Sequence, residues 1–251
     1  MVNYKEIGSE FWLENQNVDD GSVFVLSGRT AIDLILQDMK ASCRCMDSVY
    51  MPAWCCDSML QPFIDRGVNI EFYDVSYENN RLSYHIDYNS KVDILYVTNY
   101  FGYDTVLSAE TISQFKARNC AILYDRTHSL FRENDVTSSL ADYTFASVRK
   151  WLGVPCGALA LKNGGEMDIH YLRDFPYLQE KIDAMQLKAN YMNEDGKSDK
   201  QAFLDLFVSF GHHLVEDYRN YKMDIISRCL WLHADRNRIM EKRCANVTIL
   251  Q

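Results

Sequence analysis

CAILYDRTHSLF (residues 120–131) and YTFASVRKWLGVPCGALAL (residues 143–161) are the two stretches that decide the fold of this chain. Each begins with an apolar run as long as a buried strand and then delivers polar residues at its carboxyl end. The first run ends on Asp125, with His128 three residues later, and the second leads into Lys150. An acid and a lysine at the ends of two such strands predict a site that holds a cofactor through a covalent imine.

Strand-like and helix-like runs alternate through the first two thirds of the chain. Helical spacing of apolar residues is found at 27–40, 56–67 and 108–119, and strand-like runs are found at 48–52, 69–75, 93–102, 120–125, 143–148 and 157–162. Such alternation predicts right-handed crossovers and a mostly parallel sheet with helices on both faces. We therefore expect a three-layer α/β/α fold that binds ligands beyond the carboxyl ends of its strands.

The pattern becomes helical from about residue 168. Runs with helical spacing cover 177–192, 201–218 and 224–247, and the polar stretch NEDGKSDK (193–200) between the first two is typical of a loop. The last of these runs predicts one long helix.

Composition excludes several classes of function. Of the 251 residues, 47% are hydrophobic and 24% are charged, with a net charge of −9 and no basic run, so nucleic acid is not an expected partner. The start of the chain lacks the apolar core of a signal peptide, and no apolar run approaches the ~20 residues of a membrane span. The eight cysteines form no C-x-x-C pair, so we expect no metal site and a cytoplasmic location.

Lys150 and Asp125 are the candidate catalytic residues. An imine-forming lysine attacks as the neutral amine, a state that burial and a cationic neighbour such as Arg149 favour. A carboxylate such as Asp125 can keep the pyridinium nitrogen of a cofactor protonated. Taken singly, each has a plainer interpretation, because Lys150 could be a surface lysine and Asp125 a loop or helix-capping aspartate.

Three further side chains are candidates for contacts with the cofactor. His128 could pack on a cofactor ring or bond to its phenolic oxygen, Ser147 could donate to a phosphate, and Trp54 could stack on an aromatic ring. The alternatives are a partly buried loop histidine, a strand-end serine that bonds to the backbone, and a core tryptophan.

The segment SGRTA (27–31) opens a predicted helix. Free backbone N–H groups and the helix dipole favour a phosphate at such a position. Gly28 would allow close approach, and Thr30 would add a hydroxyl. Ordinary helix capping by small polar residues explains the same letters.

Taken together and in order, these segments resemble the DegT/DnrJ/EryC1/StrS family of pyridoxal-phosphate-dependent aminotransferases, which have fold type I. The matching stretches are LSGRTAIDLIL (26–36), VYMPAWCCDSMLQPFIDRGVNIEFYDV (49–75), ILYVTNYFG (94–102), ILYDRTHSLF (122–131) and FASVRKWLGVPCGALAL (145–161).

The resemblance implies roles for individual residues. Lys150 matches the Schiff-base lysine, Asp125 the carboxylate that faces the pyridine nitrogen, and His128 the residue beside the ring hydroxyl. The remaining matches concern the phosphate: the helix start with Gly28, Arg29 and Thr30, and a nearby serine represented by Ser147. Ser147 lies three residues before the lysine, whereas the family serine more usually lies four or five before it.

The implied activity is transfer of an amino group from an amino acid to a keto acceptor, which in this family is often a keto sugar attached to a nucleotide. The implied assembly is a homodimer, whose interface builds the active site. Family members are longer, so the resemblance implies that residues 1–251 form the large cofactor-binding domain. Residues 168–251 would then lead toward a small carboxyl-terminal domain that is missing. A non-catalytic binding or dimerisation module and a pyridoxal-phosphate-dependent dehydratase are the alternatives.

Overall fold

The computed structural model describes residues 21–102, 107–132, 136–169, 171–193 and 199–250. Within these ranges, the strands form one eight-stranded sheet in the order β1-β8-β7-β6-β5-β2-β3-β4. They are β1 (Val23–Val25), β2 (Ser48–Pro52), β3 (Asn69–Glu78), β4 (Arg81–His85), β5 (Ile94–Thr98), β6 (Ala121–Asp125), β7 (Tyr143–Ser147) and β8 (Ala158–Lys162). Five strands run parallel to one another, namely β2, β3, β5, β6 and β7. Strand β4 pairs antiparallel with β3, β8 pairs antiparallel with β7, and β1 pairs antiparallel with β8.

Helices cover both faces of this sheet. They are α1 (Gly28–Ala41), α2 (Asp57–Ile64), α3 (Ala109–Lys116), α4 (Val136–Leu140), α5 (Leu178–Asn193), α6 (Lys200–Glu216), α7 (Ile225–Leu232) and α8 (Arg236–Leu250). The three-layer α/β/α fold with a mostly parallel sheet is therefore confirmed.

Alternation along the central strands builds the two cores. On one face, Ile32 and Ile35 of α1 pack in a cluster with Leu123 of β6. On the other face, Phe115 of α3 packs in a second cluster with Ile122, the neighbour of Leu123 in the same strand. Successive side chains of a strand point to opposite faces, which is why one apolar run serves both cores.

The β3–β4 hairpin was not predicted, because the sequence pattern placed the end of the strand at residue 75. The strand continues to Glu78 and turns through Asn79 and Asn80, which have φ values of 50° and 60°. Two successive asparagines in the left-handed region are typical of a two-residue hairpin turn. Strand β1 was also missed, since three residues carry too little pattern.

The expectation of one long helix over 224–247 is wrong. Helix α7 ends at Leu232, and α8 begins at Arg236. Between them, the carboxylate of Asp235 accepts a hydrogen bond from the backbone N–H of Arg238 at 2.9 Å, as a residue that caps a new helix does. Of the polar stretch 193–200, residues 194–198 lie outside the described part of the chain.

Helix α1 carries a buried acid that is fully paired. Asp38 Oδ2 accepts hydrogen bonds from Tyr143 Oη at 2.5 Å and from Lys162 Nζ at 2.9 Å, and Oδ1 accepts from the N–H of Asp168 at 2.7 Å. Burial alone would raise the pKa of Asp38, but the bonds to Lys162, Tyr143 and the N–H of Asp168 outweigh it, so the pKa lies below its ordinary value. The network joins α1 to the neighbouring strands β7 and β8.

Candidate active site

The carboxyl ends of β6 and β7 and the beginning of α1 meet at one cleft. Five of the eight residues predicted from the sequence line it, namely Gly28, Arg29, Asp125, Ser147 and Lys150. They come from the start of α1, the end of β6 and the end of β7 with the turn after it, so their convergence depends on the parallel sheet and on the packing of α1 against it.

Asp125 ends β6 with a buried carboxylate that is held on both oxygens. Tyr96 Oη donates to Oδ2 at 3.0 Å, and the N–H of Thr127 donates to Oδ1 at 2.8 Å. Burial, and then the negative charge of Asp125, raise the pKa of Tyr96 well above its ordinary value, so this phenol stays protonated and acts as a donor. A carboxylate has about four acceptor positions, so Asp125 can accept a further bond from a ligand.

Thr127 is a buried residue of the site that the sequence analysis missed. Its Oγ1 accepts a hydrogen bond from the N–H of Ser147 at 3.1 Å, and its carbonyl oxygen accepts one from Trp151 Nε1 at 2.6 Å. Thr127 therefore ties the end of β6, with Asp125, to the segment that carries Lys150. The available signal was an aspartate two residues before it, because aspartate side chains commonly bond to the N–H two residues on.

Lys150 lies in a short 3₁₀ turn, Val148–Lys150, directly after β7. Its side chain is exposed, unlike the buried lysine that the imine chemistry favours. The backbone around it is held firmly: its carbonyl oxygen accepts a bond from Arg243 Nη2 at 2.7 Å, and the guanidinium of Arg243 lies 4.1 Å from the ring centroid of Trp151. The turn therefore presents a free lysine side chain from a fixed backbone.

Gly157, at the start of β8, helps to fix this turn. Its N–H donates to the carbonyl of Leu26 at 2.7 Å, and its carbonyl accepts from the N–H of Val148 at 3.1 Å. The φ of 135° favours glycine, and a Cβ atom there would lie 2.5 Å from Met223 Cε. A residue without a side chain is thus required where the backbone links the start of α1 to the lysine turn.

The start of α1 is capped from within. Ser27 Oγ accepts from the N–H of Thr30 at 3.3 Å, and Thr30 Oγ1 donates to the carbonyl of Tyr218 at 2.8 Å. The bond to Ser27 is the helix cap that the capping interpretation of SGRTA describes, whereas the hydroxyl of Thr30 bonds to a distant part of the fold. A Cβ on Gly28 would lie 3.9 Å from Phe145 and Ser147, so packing alone does not require glycine there.

Two arginines beside this helix start have unsatisfied donors. The Nε atoms of Arg29 and Arg149 are buried, and neither has a hydrogen-bond partner in the described part of the chain. Burial lowers the pKa of both guanidinium groups, and the charge of Arg29 lowers that of Arg149 further. The charges of Asp57 and Asp65 oppose this effect at Arg29. A guanidinium remains protonated in proteins, so an anion that accepted bonds from the two Nε atoms would be stabilised here.

His128 and Trp54 lie outside the residues that line the cleft. The ring of His128 stacks on Phe101 with a centroid separation of 5.2 Å, and its Nδ1 accepts from the N–H of Phe101 at 3.3 Å. Burial and, next, the positive charge of Lys150 lower the pKa of His128, which places the histidine near the lysine. Trp54 is half exposed and packs edge-on against Tyr100, so it is not a core tryptophan.

No helix in the described ranges is both long enough and apolar enough to cross a membrane. No group of three or more potential metal-ligating side chains occurs among the same residues.

Comparison with known proteins identifies similar solved structures only. No protein-family model and no curated protein match the sequence. The similar structures include Spr1654 of Streptococcus pneumoniae, a candidate sugar aminotransferase in its PLP form (19% identity, TM-score 0.43, covering 57% of this chain and 42% of that one). Others are the aminotransferase TlmJ of Streptoalloteichus hindustanus (15%, 0.46, 66% and 43%) and GDP-4-keto-6-deoxymannose-3-dehydratase (18%, 0.45, 57% and 39%).

This chain therefore spans about two fifths of the length of those solved structures. Aminotransferases are among the structures that it resembles, as the sequence resemblance predicts. Identities and TM-scores this low say nothing about chemistry, which has to come from the residues of the cleft.

Proposed function

We propose that this protein binds pyridoxal phosphate at the cleft and transfers an amino group from an amino acid to a keto acceptor. The convergence of Lys150, Asp125 and the start of α1 in one cleft is the observation that carries the proposal. A keto sugar attached to a nucleotide is the acceptor class that the sequence resemblance favours.

The residues present fit the cofactor. The buried Nε atoms of Arg29 and Arg149 lack partners beside the first turn of α1, where a phosphate is favoured by the helix dipole and by free N–H groups. Ser147 lies at the same place, buried at the end of β7. Asp125 supplies a carboxylate for a pyridinium nitrogen, and Lys150 an exposed amine for the aldehyde.

Each residue then has a distinct task. When bound, pyridoxal phosphate supplies an electron sink for the carbanion formed next to an amino nitrogen. Lys150, on its fixed turn, is the group that takes up and returns a proton. Tyr96 and Thr127 hold the carboxylate of Asp125 in one orientation, in which its negative charge would stabilise the protonated ring nitrogen. His128, whose pKa is lowered by burial and by Lys150, contributes a neutral imidazole beside the site.

Absorbance spectra test the cofactor assignment directly. Adding pyridoxal phosphate to the wild-type protein should produce a yellow imine band that borohydride bleaches, with the reduced cofactor attached to the peptide that contains Lys150. Lys150→Ala should remove the band, whereas Lys40→Ala, at the exposed end of α1, should keep it. A wild-type protein without the band, or a Lys150→Ala variant that retains it, contradicts the proposal.

Amino donors separate turnover from binding. Glutamate or another amino acid should convert the imine band to that of the amine form, and a keto acceptor should restore it. A band that forms but that no amino donor converts would favour the binding-module alternative. A band consumed with loss of a hydroxyl from a sugar substrate would favour the dehydratase.

We further propose that the working protein is a cytoplasmic homodimer. The exposed aromatic side chains of Trp54 and Phe101 lie near His128, and a second copy would cover this apolar surface. All eight cysteines are free thiols, which suits a reducing compartment. Light scattering that gives the mass of a monomer at working concentrations would refute the dimer.

A further inference from the structure

A second concave surface lies on the far side of Arg149 from the cleft. It is an open groove of about 450 Å³ between the lysine turn and the helical hairpin of α5 and α6. We call it the hairpin groove, and a volume of this order is typical of small-molecule sites. Its walls are largely apolar and include Leu152, Val154, Met185 and Phe207.

Among the described residues, three cations and no acid line the hairpin groove. The cations are Arg149, Lys181 and Lys188. Lys181 Nζ lies 4.2 Å from the ring centroid of Phe207, and no carboxylate pairs with it in the described part of the chain. The chain as a whole carries a net charge of −9, so the excess of cations among the described residues of this groove is a local feature.

The environment of Lys181 shows how poorly this positive charge is compensated. Burial and then the charges of Arg149 and Lys188 lower the pKa of Lys181 to about 8. Contact with an aromatic ring offsets only part of such a cost. Arg149 lines both this groove and the lysine cleft, and its buried Nε has no hydrogen-bond partner among the described residues. An anion bound between these groups would provide the missing counter-charge.

We propose that the hairpin groove binds an organic anion with a phosphate or carboxylate head and an apolar body. Arg149 and Lys181 provide charge-assisted donors for the head, and Lys188 adds positive charge at the rim. The apolar walls accommodate the body, and the flexible side chain of Met185 can adapt to its shape. The hairpin groove shares Arg149 with the lysine cleft, but Lys181 and Lys188 line the groove alone, so substitutions at these two lysines test the groove independently of the cofactor proposal.

Calorimetric titration with hexyl phosphate tests both halves of the proposed ligand. Hexyl phosphate should bind, whereas 1-hexanol and inorganic phosphate should each bind at least tenfold more weakly. Lys181→Met should weaken hexyl phosphate binding at least tenfold, Lys181→Arg should largely preserve it, and Lys40→Met should leave it unchanged. Added salt should weaken binding, since the head is held by charge.

Thermal unfolding checks that a variant that binds more weakly is still folded. Lys181→Met removes a poorly solvated cation, so its melting temperature should equal or exceed that of the wild type; should it fail to fold, Lys188→Met provides the same test. Equal binding of 1-hexanol and hexyl phosphate overturns the proposal. So does hexyl phosphate binding that Arg29→Gln weakens and Lys181→Met does not, because the ligand would then occupy the lysine cleft.

Discussion

Replacing Tyr96 by Phe should cost more stability than replacing Tyr73 by Phe, although both tyrosines are fully buried in the same sheet. Tyr96 Oη donates to the carboxylate of Asp125 at 3.0 Å, whereas Tyr73 Oη donates to the backbone carbonyl of Tyr96 at 2.8 Å. A hydrogen bond to a charged group contributes about 1.5–3 kcal/mol, and a neutral one about 0.5–1.5 kcal/mol. The comparison holds the substitution and the burial constant and changes only the charge of the acceptor.

Urea unfolding followed by circular dichroism gives the two free-energy differences. Tyr96→Phe should lower the free energy of unfolding by about 2 kcal/mol and Tyr73→Phe by about 1 kcal/mol. In an Asp125→Asn background, the cost of Tyr96→Phe should fall toward that of Tyr73→Phe. Equal costs for the two single variants, or a cost for Tyr96→Phe that is the same in both backgrounds, would refute the inference that a charged carboxylate of Asp125 is held by Tyr96.

Three further outcomes follow from the geometry. Gly157→Ala should destabilise the fold by about 1–3 kcal/mol in urea unfolding, because it forces a Cβ into the left-handed region and against a side-chain methyl group. The pKa of Asp38 is lower in the folded than in the unfolded chain, so its stabilising contribution is present above the ordinary value of 3.8 and is lost as the pH falls through the folded pKa. Asp38→Asn leaves Lys162 unpaired and should lower the free energy of unfolding by about 3 kcal/mol near neutral pH. It should also reduce the fall in the free energy of unfolding at acid pH. Lys150→Met should raise the pKa of His128 in an NMR titration, since one of the two causes that lower it is removed.

The sheet and its carboxyl edge could be predicted because local patterns encode them. The strands that end in Asp125 and Ser147 are buried at every position, and the residues before the last one are almost all apolar. Such runs are typical of strands covered on both faces. The break after Leu232 could not be predicted, because the apolar spacing of α7 continues into polar residues that suit a helix equally well. Only the cap formed by Asp235 ends the pattern, and an aspartate inside a helical run gives a weak signal.

The sequence predicts candidate site residues where an acid or a lysine follows a strand. It does not reveal the residues that contact them from other parts of the fold. Nothing in the sequence around Tyr96 shows that it bonds to Asp125, because that bond joins two different strands. The bond from the N–H of Thr127 is local, and its signal was the aspartate two residues earlier. Thr30 shows the converse: its place at a helix start predicts a ligand contact, but the carbonyl that its hydroxyl bonds to lies 188 residues away.

Charged side chains near the start of β7 and those near its carboxyl end differ in whether they have a partner of opposite charge. Buried Asp38 is compensated by Lys162 and two further donors, so the fold provides partners where a charge serves structure alone. Around the lysine turn, Arg29, Arg149 and Lys181 have no carboxylate partner in the described ranges, in a chain with nine more acids than basic residues. A scarcity of acids cannot explain this difference. Leaving a buried cation unpaired costs stability, and the cost is offset when an anion binds. We therefore infer that the unpaired cations mark the two proposed ligand sites, the lysine cleft and the hairpin groove, which share Arg149.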